Sequence, residues 1–191
     1  SGVDNIFIGA YAGEANTTGK NNVVIGTNAM IAGIASNVII IGRDAGRVNT
    51  RDDNIFIGNK AGKSNTTGDN NIFVGSNSGS SIITGNTNIY VGSNVGSVSN
   101  TSNDNVIIGN SAFTHGTTAN GQILIGNYSG YSLTTNQAYD NIYIGNYSGY
   151  KSTSAHRNLY VGWKAGYATT SGNYNTLIGH TAGWNITDGT N

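Results

Sequence analysis

The sequence contains no cysteine, no proline, one methionine and four leucines among its 191 residues. Without cysteine, the chain has neither a disulfide framework nor a thiolate metal site. Charged residues make up only 9% of it, against about 25% in ordinary soluble domains. Leu, Lys and Glu are good helix formers, and their scarcity argues against a helical protein.

The charges are balanced, with nine basic and nine acidic residues. A neutral chain lacks the electrostatic footprint of a nucleic-acid-binding or anionic-membrane-binding protein. No apolar run reaches the length of about 18 residues that a membrane-spanning helix needs, and the first residues show no charged n-region followed by an apolar h-region, so we expect no signal peptide in this segment. We therefore predict no nucleic-acid partner and no membrane insertion by this segment.

Asn and Gly dominate what is present, with 30 and 29 residues respectively. Such a composition raises the question of disorder. Disordered chains, however, are poor in β-branched and aromatic residues and carry high net charge. This chain is rich in Ile and Val and has 17 aromatic residues, so we predict an ordered domain.

A repeat of about 17 residues fills the chain. Its marker is the Gly that ends each stretch of the type Asn-Ile-Phe-Ile-Gly, called the key Gly below. Eleven copies follow one another, mostly 16 or 17 residues apart and once 19. We therefore predict one repeat array over residues 1–191. Gly2 and Gly189 lie at equivalent phases of the repeat, which leads us to expect a segment of a longer fibre. The key glycines are Gly9, Gly26, Gly42, Gly58, Gly75, Gly92, Gly109, Gly126, Gly145, Gly162 and Gly179.

Each repeat has Asn, three mostly β-branched residues, the key Gly, two variable residues, a small residue and usually a second Gly. A short β-branched run ended by Gly indicates a short strand, and 17 residues leave no room for a helix. We therefore predict an all-β parallel β-solenoid, or β-roll, of eleven coils whose strands stack at about 4.8 Å. The second Gly marks a tight corner, and Thr-Thr-Gly segments at 17–19 and 66–68 supply the other turn.

In a solenoid, equivalent positions of successive coils form columns, so each column must be compatible with itself. The Asn that precedes each strand suits such a column, because stacked amides can donate and accept hydrogen bonds along it. One column also contains four acidic residues, none of them in adjacent coils. This spacing fits stacked coils, because like charges about 5 Å apart would repel each other. These residues are Asp4, Asp53, Asp104 and Asp140.

The middle strand residue is apolar or aromatic in every repeat. Strand side chains alternate between faces, so if Ile6 and Ile8 fill the coil, Phe7 points outward. A single chain that exposed this column would aggregate. We predict its burial between identical chains in a threefold rod; the alternative is a second layer of the same chain, for which the repeat looks short. The predicted subunit interface consists of Phe7, Phe56, Phe73, Tyr90, Leu124, Tyr143 and Tyr160.

Aromatic residues concentrate in the last four coils. There, both the second and the fifth position after the key Gly carry rings in more than one coil. An exposed ladder of rings is suited to stacking against sugars. Alternatively, the rings stack on one another or pack between subunits. The lengthened loop at 135–140 lies beside them and is where a bound ligand would be sought. The candidate ligand-binding residues are Tyr128, Tyr131, Tyr147, Tyr150, Tyr167 and Trp184.

Catalytic and metal-binding patterns are lacking. His115, His156 and His180 occupy different phases of the repeat and have no repeated carboxylate partner. The Gly-Gly-x-Gly-x-Asp motif of calcium-binding β-rolls does not occur. We therefore predict a protein that is not an enzyme, with no catalytic residue, no metal site and no cofactor.

The run Asn-Ile-Phe-Ile-Gly-x-x-Ala-Gly followed by Asn-Thr-Thr-Gly, clearest at 5–19 and 54–68, resembles the head repeats of YadA-like trimeric autotransporter adhesins. It is also similar to repeat arrays of phage tail fibres. The resemblance implies a left-handed homotrimeric β-roll that serves as a structural or adhesive segment of an extracellular fibre, on a cell or virion surface. Implied partners are identical chains, in a homotrimer or filament, and a host-surface glycan or protein. The alternative function is a carbohydrate-binding module that uses the Tyr/Trp ladder.

Overall fold

The computed structural model describes residues 2–118, 120–134 and 138–188. Each repeat contributes one strand of three residues, and the described residues contain no helix. The eleven strands form one parallel sheet in chain order, which confirms the predicted all-β parallel β-solenoid. The strands are β1 (Ile6–Ile8), β2 (Val23–Ile25), β3 (Ile39–Ile41), β4 (Ile55–Ile57), β5 (Ile72–Val74), β6 (Ile89–Val91), β7 (Val106–Ile108), β8 (Ile123–Ile125), β9 (Ile142–Ile144), β10 (Leu159–Val161) and β11 (Thr176–Ile178).

The register of the sheet places equivalent repeat positions side by side. Phe73, for example, pairs with Phe56 on one side and with Tyr90 on the other. The 19-residue repeat does not disturb this register, since Ile123 still pairs with Ile142. Columns predicted from the sequence therefore exist in the fold.

Hydrogen bonds between coils also occur outside the sheet. In the corner that follows β4, the Lys60 amide donates to the Arg43 carbonyl at 2.9 Å, and the Gly62 amide donates to the Ser78 carbonyl at 3.0 Å. Adjacent coils are thus joined along more than one side of the cross-section.

The middle residue of each strand points into the coil, so the predicted orientation of the strands is wrong. Phe7, in the first coil, is 38% exposed, but the other members of the predicted subunit interface are fully buried within the single chain. The flanking residues, which were expected inside, lie outside; Ile89 and Ile144 are each 37% exposed. The buried members of the predicted interface are Phe56, Phe73, Tyr90, Leu124, Tyr143 and Tyr160.

The glycine corner explains this orientation, because it forms the second layer that the repeat seemed too short to provide. Gly62 has a φ of 58°, and a Cβ atom there would lie 2.7 Å from the ring of Phe56. The preceding Ala61 is small and fully buried. The coil therefore has room for one large side chain opposite the corner, and the middle strand residue fills it.

In two coils, the large side chain that fills the interior comes from the corner and not from the strand. In the seventh coil the middle residue is only Ile107, and Phe113 replaces the second Gly. Phe113 is fully buried although its φ is 50°, and Gly116 leaves space beside its ring. The second coil has the same arrangement with Val24, Met30 and Gly33. Within one chain, these three positions vary together.

The Asn column forms the predicted hydrogen-bonded ladder. The Nδ2 of Asn71 donates to the Gly85 carbonyl at 2.8 Å, which ties the start of β5 to the far turn of its own coil. The Oδ1 of Asn71 accepts from the Asn88 amide at 3.0 Å, and Asn54 accepts from the Asn71 amide at 2.9 Å. Because these residues are fully buried, the ladder satisfies polar groups that have no access to water.

Three coils have Tyr as the middle strand residue, and each has a hydroxyl residue nine positions later, which no other coil has. The hydroxyl of Tyr143 donates to Ser152 at 3.2 Å. Burial raises the pKa of Tyr143, and the bond to Ser152 opposes that shift only partly. The sequence thus places a hydroxyl residue at this position wherever a phenol enters the core, although of the three phenols only Tyr143 forms the hydrogen bond. The pairs are Tyr90 with Ser99, Tyr143 with Ser152, and Tyr160 with Thr169.

Candidate functional site

The aromatic residues five positions after the key Gly form one continuous stack along the last four coils. The ring centroids of Tyr131 and Tyr150 are 5.0 Å apart with planes at 7°, and those of Tyr150 and Tyr167 are 5.2 Å apart at 5°. Trp184 extends the stack beyond Tyr167 at 5.1 Å and 20°. The strand register produces this stack, since each coil places its ring above the previous one.

A second stack lies beside the first. Tyr128 and Tyr147, two positions after their key glycines, are 5.1 Å apart with planes at 10°. Each contacts the first stack, Tyr128 through Tyr131 at 5.7 Å and Tyr147 through Tyr150 at 5.6 Å. The structure thus brings all six predicted candidate residues together on one surface.

The rings turn their faces toward one another. In a near-parallel stack with centroids about 5 Å apart, each inner ring covers the face of the next. Tyr150 lies between Tyr131 and Tyr167 in this way and is only partly exposed. The ladder therefore presents ring edges and hydroxyl groups to the outside, and its inner members offer no free face for a sugar ring.

Sequence analysis missed the two residues that extend this surface, Trp163 and Lys164. Lys164 Nζ lies 4.3 Å from the ring centroid of Trp163 and 4.5 Å from that of Trp184. Trp163 stacks on His180 at 4.7 Å and is 41% exposed. Trp163 is the sole Trp of its column, and Lys164 shares its column with one other lysine, Lys60, six coils away, so periodicity did not mark them.

Positions six after the key Gly adjoin the same surface. Lys151 Nζ is 5.6 Å from the Tyr167 ring centroid, and the ring of His115 contacts that of Tyr131 at 4.4 Å. Positions one, two, five and six after the key Gly are therefore neighbours. We call the surface that they form along the rod the corner face.

Tyr150 is the ladder residue whose acidity is altered. Partial burial raises its pKa, and the neighbouring Tyr131 and Tyr167 phenols raise it further, since their anions would repel its own. Stacking in the ladder thus favours the neutral form of the Tyr150 phenol.

A separate aromatic cluster lies before the strands of the last coils. Tyr139 stacks on His156 at 4.8 Å, and the Arg157 guanidinium lies 5.0 Å from the Tyr139 ring centroid. Arg157 also donates to the Tyr174 hydroxyl at 2.7 Å, which raises the pKa of Arg157. The periodicity of the sequence does not mark this cluster, because its members fall in two columns.

The described residues contain no group of three or more His, Asp or Glu side chains that could hold a metal ion. They form no pocket, and no helix among them is long and apolar enough to cross a membrane. The three histidines lie in separate coils, and each has an aromatic ring as its neighbour.

Two sequence-based expectations fall partly outside the described residues. In the lengthened loop at 135–140, Thr135, Asn136 and Gln137 lie outside them, and so does Gly189. Tyr139 and Asp140 are described; Asp140 pairs with Arg157 at 3.8 Å. Comparison with known proteins identifies no relative: no family model matches the chain, and neither a curated protein nor a solved structure matches it.

Proposed function

We propose that this chain is a structural and adhesive segment of an extracellular homotrimeric fibre, in the manner of a cell-surface adhesin or a phage tail fibre. The observation that carries this proposal is the outer face of the sheet. It consists of the first and third residues of β1–β11, all aliphatic except Thr176. None of these side chains is buried in the single chain, although a soluble monomer rarely exposes so continuous an apolar surface.

The shape of this face suits association with identical chains. Eleven strands at a spacing of about 4.8 Å make it about 50 Å long, and three residues make it about 10 Å wide. Three copies around a common axis would bring such a narrow, uncharged strip of each chain against the others, because equal coils then meet at equal heights. The interface residues of this proposal are thus the flanking strand residues, in place of the buried middle column.

The corner face differs in character from the sheet face. Along its column five after the key Gly, the side chains change from Glu14 through Arg47 and Lys63 to Ser97 and the aromatic ladder. A surface that varies from coil to coil is suited to recognising partners. A trimer would present three copies of it, so that avidity strengthens weak individual contacts.

Assembly is tested by measuring the mass in solution by light scattering. We expect three times the chain mass for the wild type. Ile108→Glu with Ile144→Glu places two charges on the sheet face in non-adjacent coils and should yield monomers. Asn110→Glu with Asn146→Glu adds the same charge at exposed positions of the same two coils and should leave the trimer intact. A wild type that is a soluble monomer would contradict the proposal.

The second candidate function is a carbohydrate-binding module, favoured by the six candidate residues on one surface. Because their inner ring faces are covered, a glycan would contact ring edges and hydroxyl groups. A glycan array compares the wild type with Tyr131→Ala, Tyr150→Ala and Trp184→Ala. Loss of binding in these variants supports this function, and binding that ignores all three substitutions argues against it.

A further inference from the structure

The zero net charge of the chain conceals a separation of charges across the coil. Six of the nine cationic residues lie at corner-face positions, together with only two acidic residues, Glu14 and Asp44. The other seven acidic residues lie five or six positions before the key Gly or in the far turn, with only three cations. We call this second surface the acidic edge. The corner-face cations are Arg43, Arg47, Lys60, Lys63, Lys151 and Lys164.

The two corner-face acids weaken this positive field little. Asp44 is mostly covered and already accepts a hydrogen bond from Asn28 at 3.3 Å, while Arg43 lies 4.0 Å from it with an exposed side chain. Glu14 is in the first coil, away from the cations of the third and fourth coils. Arg47 and Lys63 share one column in those adjacent coils, where they repel each other unless an anion lies between them.

The aromatic half of the corner face also favours an anionic ligand. Aromatic rings carry negative potential on their faces and positive potential at their edges. In the ladder the faces are turned toward one another and toward Lys164, which leaves the electropositive edges and the phenol hydroxyls outside. Lys151 adds a further exposed cation beside Tyr167.

These features follow one another from coil to coil on one surface. From the third coil to the eleventh there are eight strand spacings, about 40 Å in all. Between the cationic and aromatic ends, the column five after the key Gly carries the hydroxyl residues Ser80, Ser97 and Thr114. Cations, hydroxyls and ring edges thus follow one another along the rod.

We infer that the corner face binds an acidic polysaccharide that lies along the rod axis. Its carboxylates pair with the lysines and arginines, and its sugar hydroxyls pair with Ser, Thr and Tyr hydroxyl groups. Single-stranded nucleic acid fits less well, because its bases need open ring faces on which to stack. The inference deepens the proposed adhesive function, and it rests on that function because assembly through the sheet leaves the corner face free.

Binding is measured by titrating the protein with polygalacturonate, and with neutral dextran as the comparison polymer. We expect binding to polygalacturonate alone, weakening as salt is raised toward about 0.15 M. The corner-face variant Arg47→Gln, Lys60→Gln, Lys63→Gln should lose affinity about tenfold or more. The matched variant Lys20→Gln, Arg51→Gln, Arg157→Gln removes the three acidic-edge cations and should bind like the wild type.

Absence of wild-type binding, equal binding to dextran, or equal losses in both variants would overturn the inference. Tighter binding to a single-stranded oligonucleotide than to polygalacturonate would also overturn it. The mass of every sample is measured in parallel. Selective binding by a monomer would support the inference while contradicting trimer assembly, so the two failures are distinguishable.

Discussion

Asparagine has two separate roles in this chain, and only one of them was predicted from the sequence. Buried residues such as Asn71 form the hydrogen-bonded ladder. Others, such as Asn70 and Asn77, have φ values of 56°, in a region that Asn and Asp tolerate better than most residues. Asp53, with a φ of 58°, belongs to the same group. The acidic column thus has a backbone cause as well as the charge spacing that drew attention to it.

Replacing one ladder residue should be costly. Asn71→Ala removes the donor to the Gly85 carbonyl and the acceptor of two bonds from Asn88. We expect the free energy of unfolding to fall by about 3 kcal/mol, because buried polar groups lose their partners. Urea denaturation followed by circular dichroism measures the change. Asn110→Ala, at an exposed position, should cost less than about 0.5 kcal/mol; similar losses in both variants would contradict this role.

The buried tyrosines predict instability in alkali. Burial raises the pKa of Tyr90, Tyr143 and Tyr160 above their ordinary value of 10.0. Below pH 10 the phenols are neutral in both states, so stability does not depend on them. Above it they ionise only in the unfolded chain, and stability falls by about 1.4 kcal/mol per pH unit for each residue.

Urea midpoints measured at increasing pH test this expectation. Tyr143→Phe should give a shallower alkaline decline than the wild type. The matched variant Tyr11→Phe alters a residue that is 61% exposed and should not change the slope. A Tyr143→Phe slope equal to that of the wild type would show that the buried phenol is not the cause.

At the scale of the single coil, the interior is one space that can be filled from either wall. In the fourth coil the ring comes from the strand, as Phe56 opposite Gly62. In the seventh it comes from the corner, as Phe113 opposite Ile107. The coil therefore constrains the summed volume of the middle strand side chain and the corner side chain, and not the volume of either one alone.

Exchanging the two walls of the seventh coil tests this constraint. Phe113→Gly leaves a cavity and should lower the free energy of unfolding by about 3–5 kcal/mol. Ile107→Phe overfills the interior and should cost about 1–3 kcal/mol. The double variant places Phe on the strand and Gly in the corner, as in the fourth coil, and should recover most of the loss in thermal or urea denaturation. Additive losses would contradict a shared space.

At the scale of the whole molecule, the sequence predicted the number of strands, their positions and their register, because the strand motif is repeated eleven times. It did not predict the orientation of the strands. In a strand of three residues, either the middle side chain or the two flanking side chains can point into the coil, and all three positions are apolar or aromatic except at Thr176. The deciding fact is steric: Gly62 makes room for Phe56 across the coil. Periodicity likewise located the six aromatic candidates but not Trp163 or Lys164. Trp163 is the sole Trp of its column, and Lys164 is one of only two lysines in its column.

The constant register has a consequence for how such a rod changes over generations. One repeat is both a structural layer and a contiguous piece of coding sequence. Unequal recombination between repeats would therefore add or remove whole coils, each changing the length by about 4.8 Å. The contacts between an added coil and its neighbours would be of the same kind as those already present between coils. The 19-residue repeat, whose strands still pair in register, shows that smaller insertions are also accommodated between strands. The length of the solenoid and its corner-face chemistry can thus diverge separately.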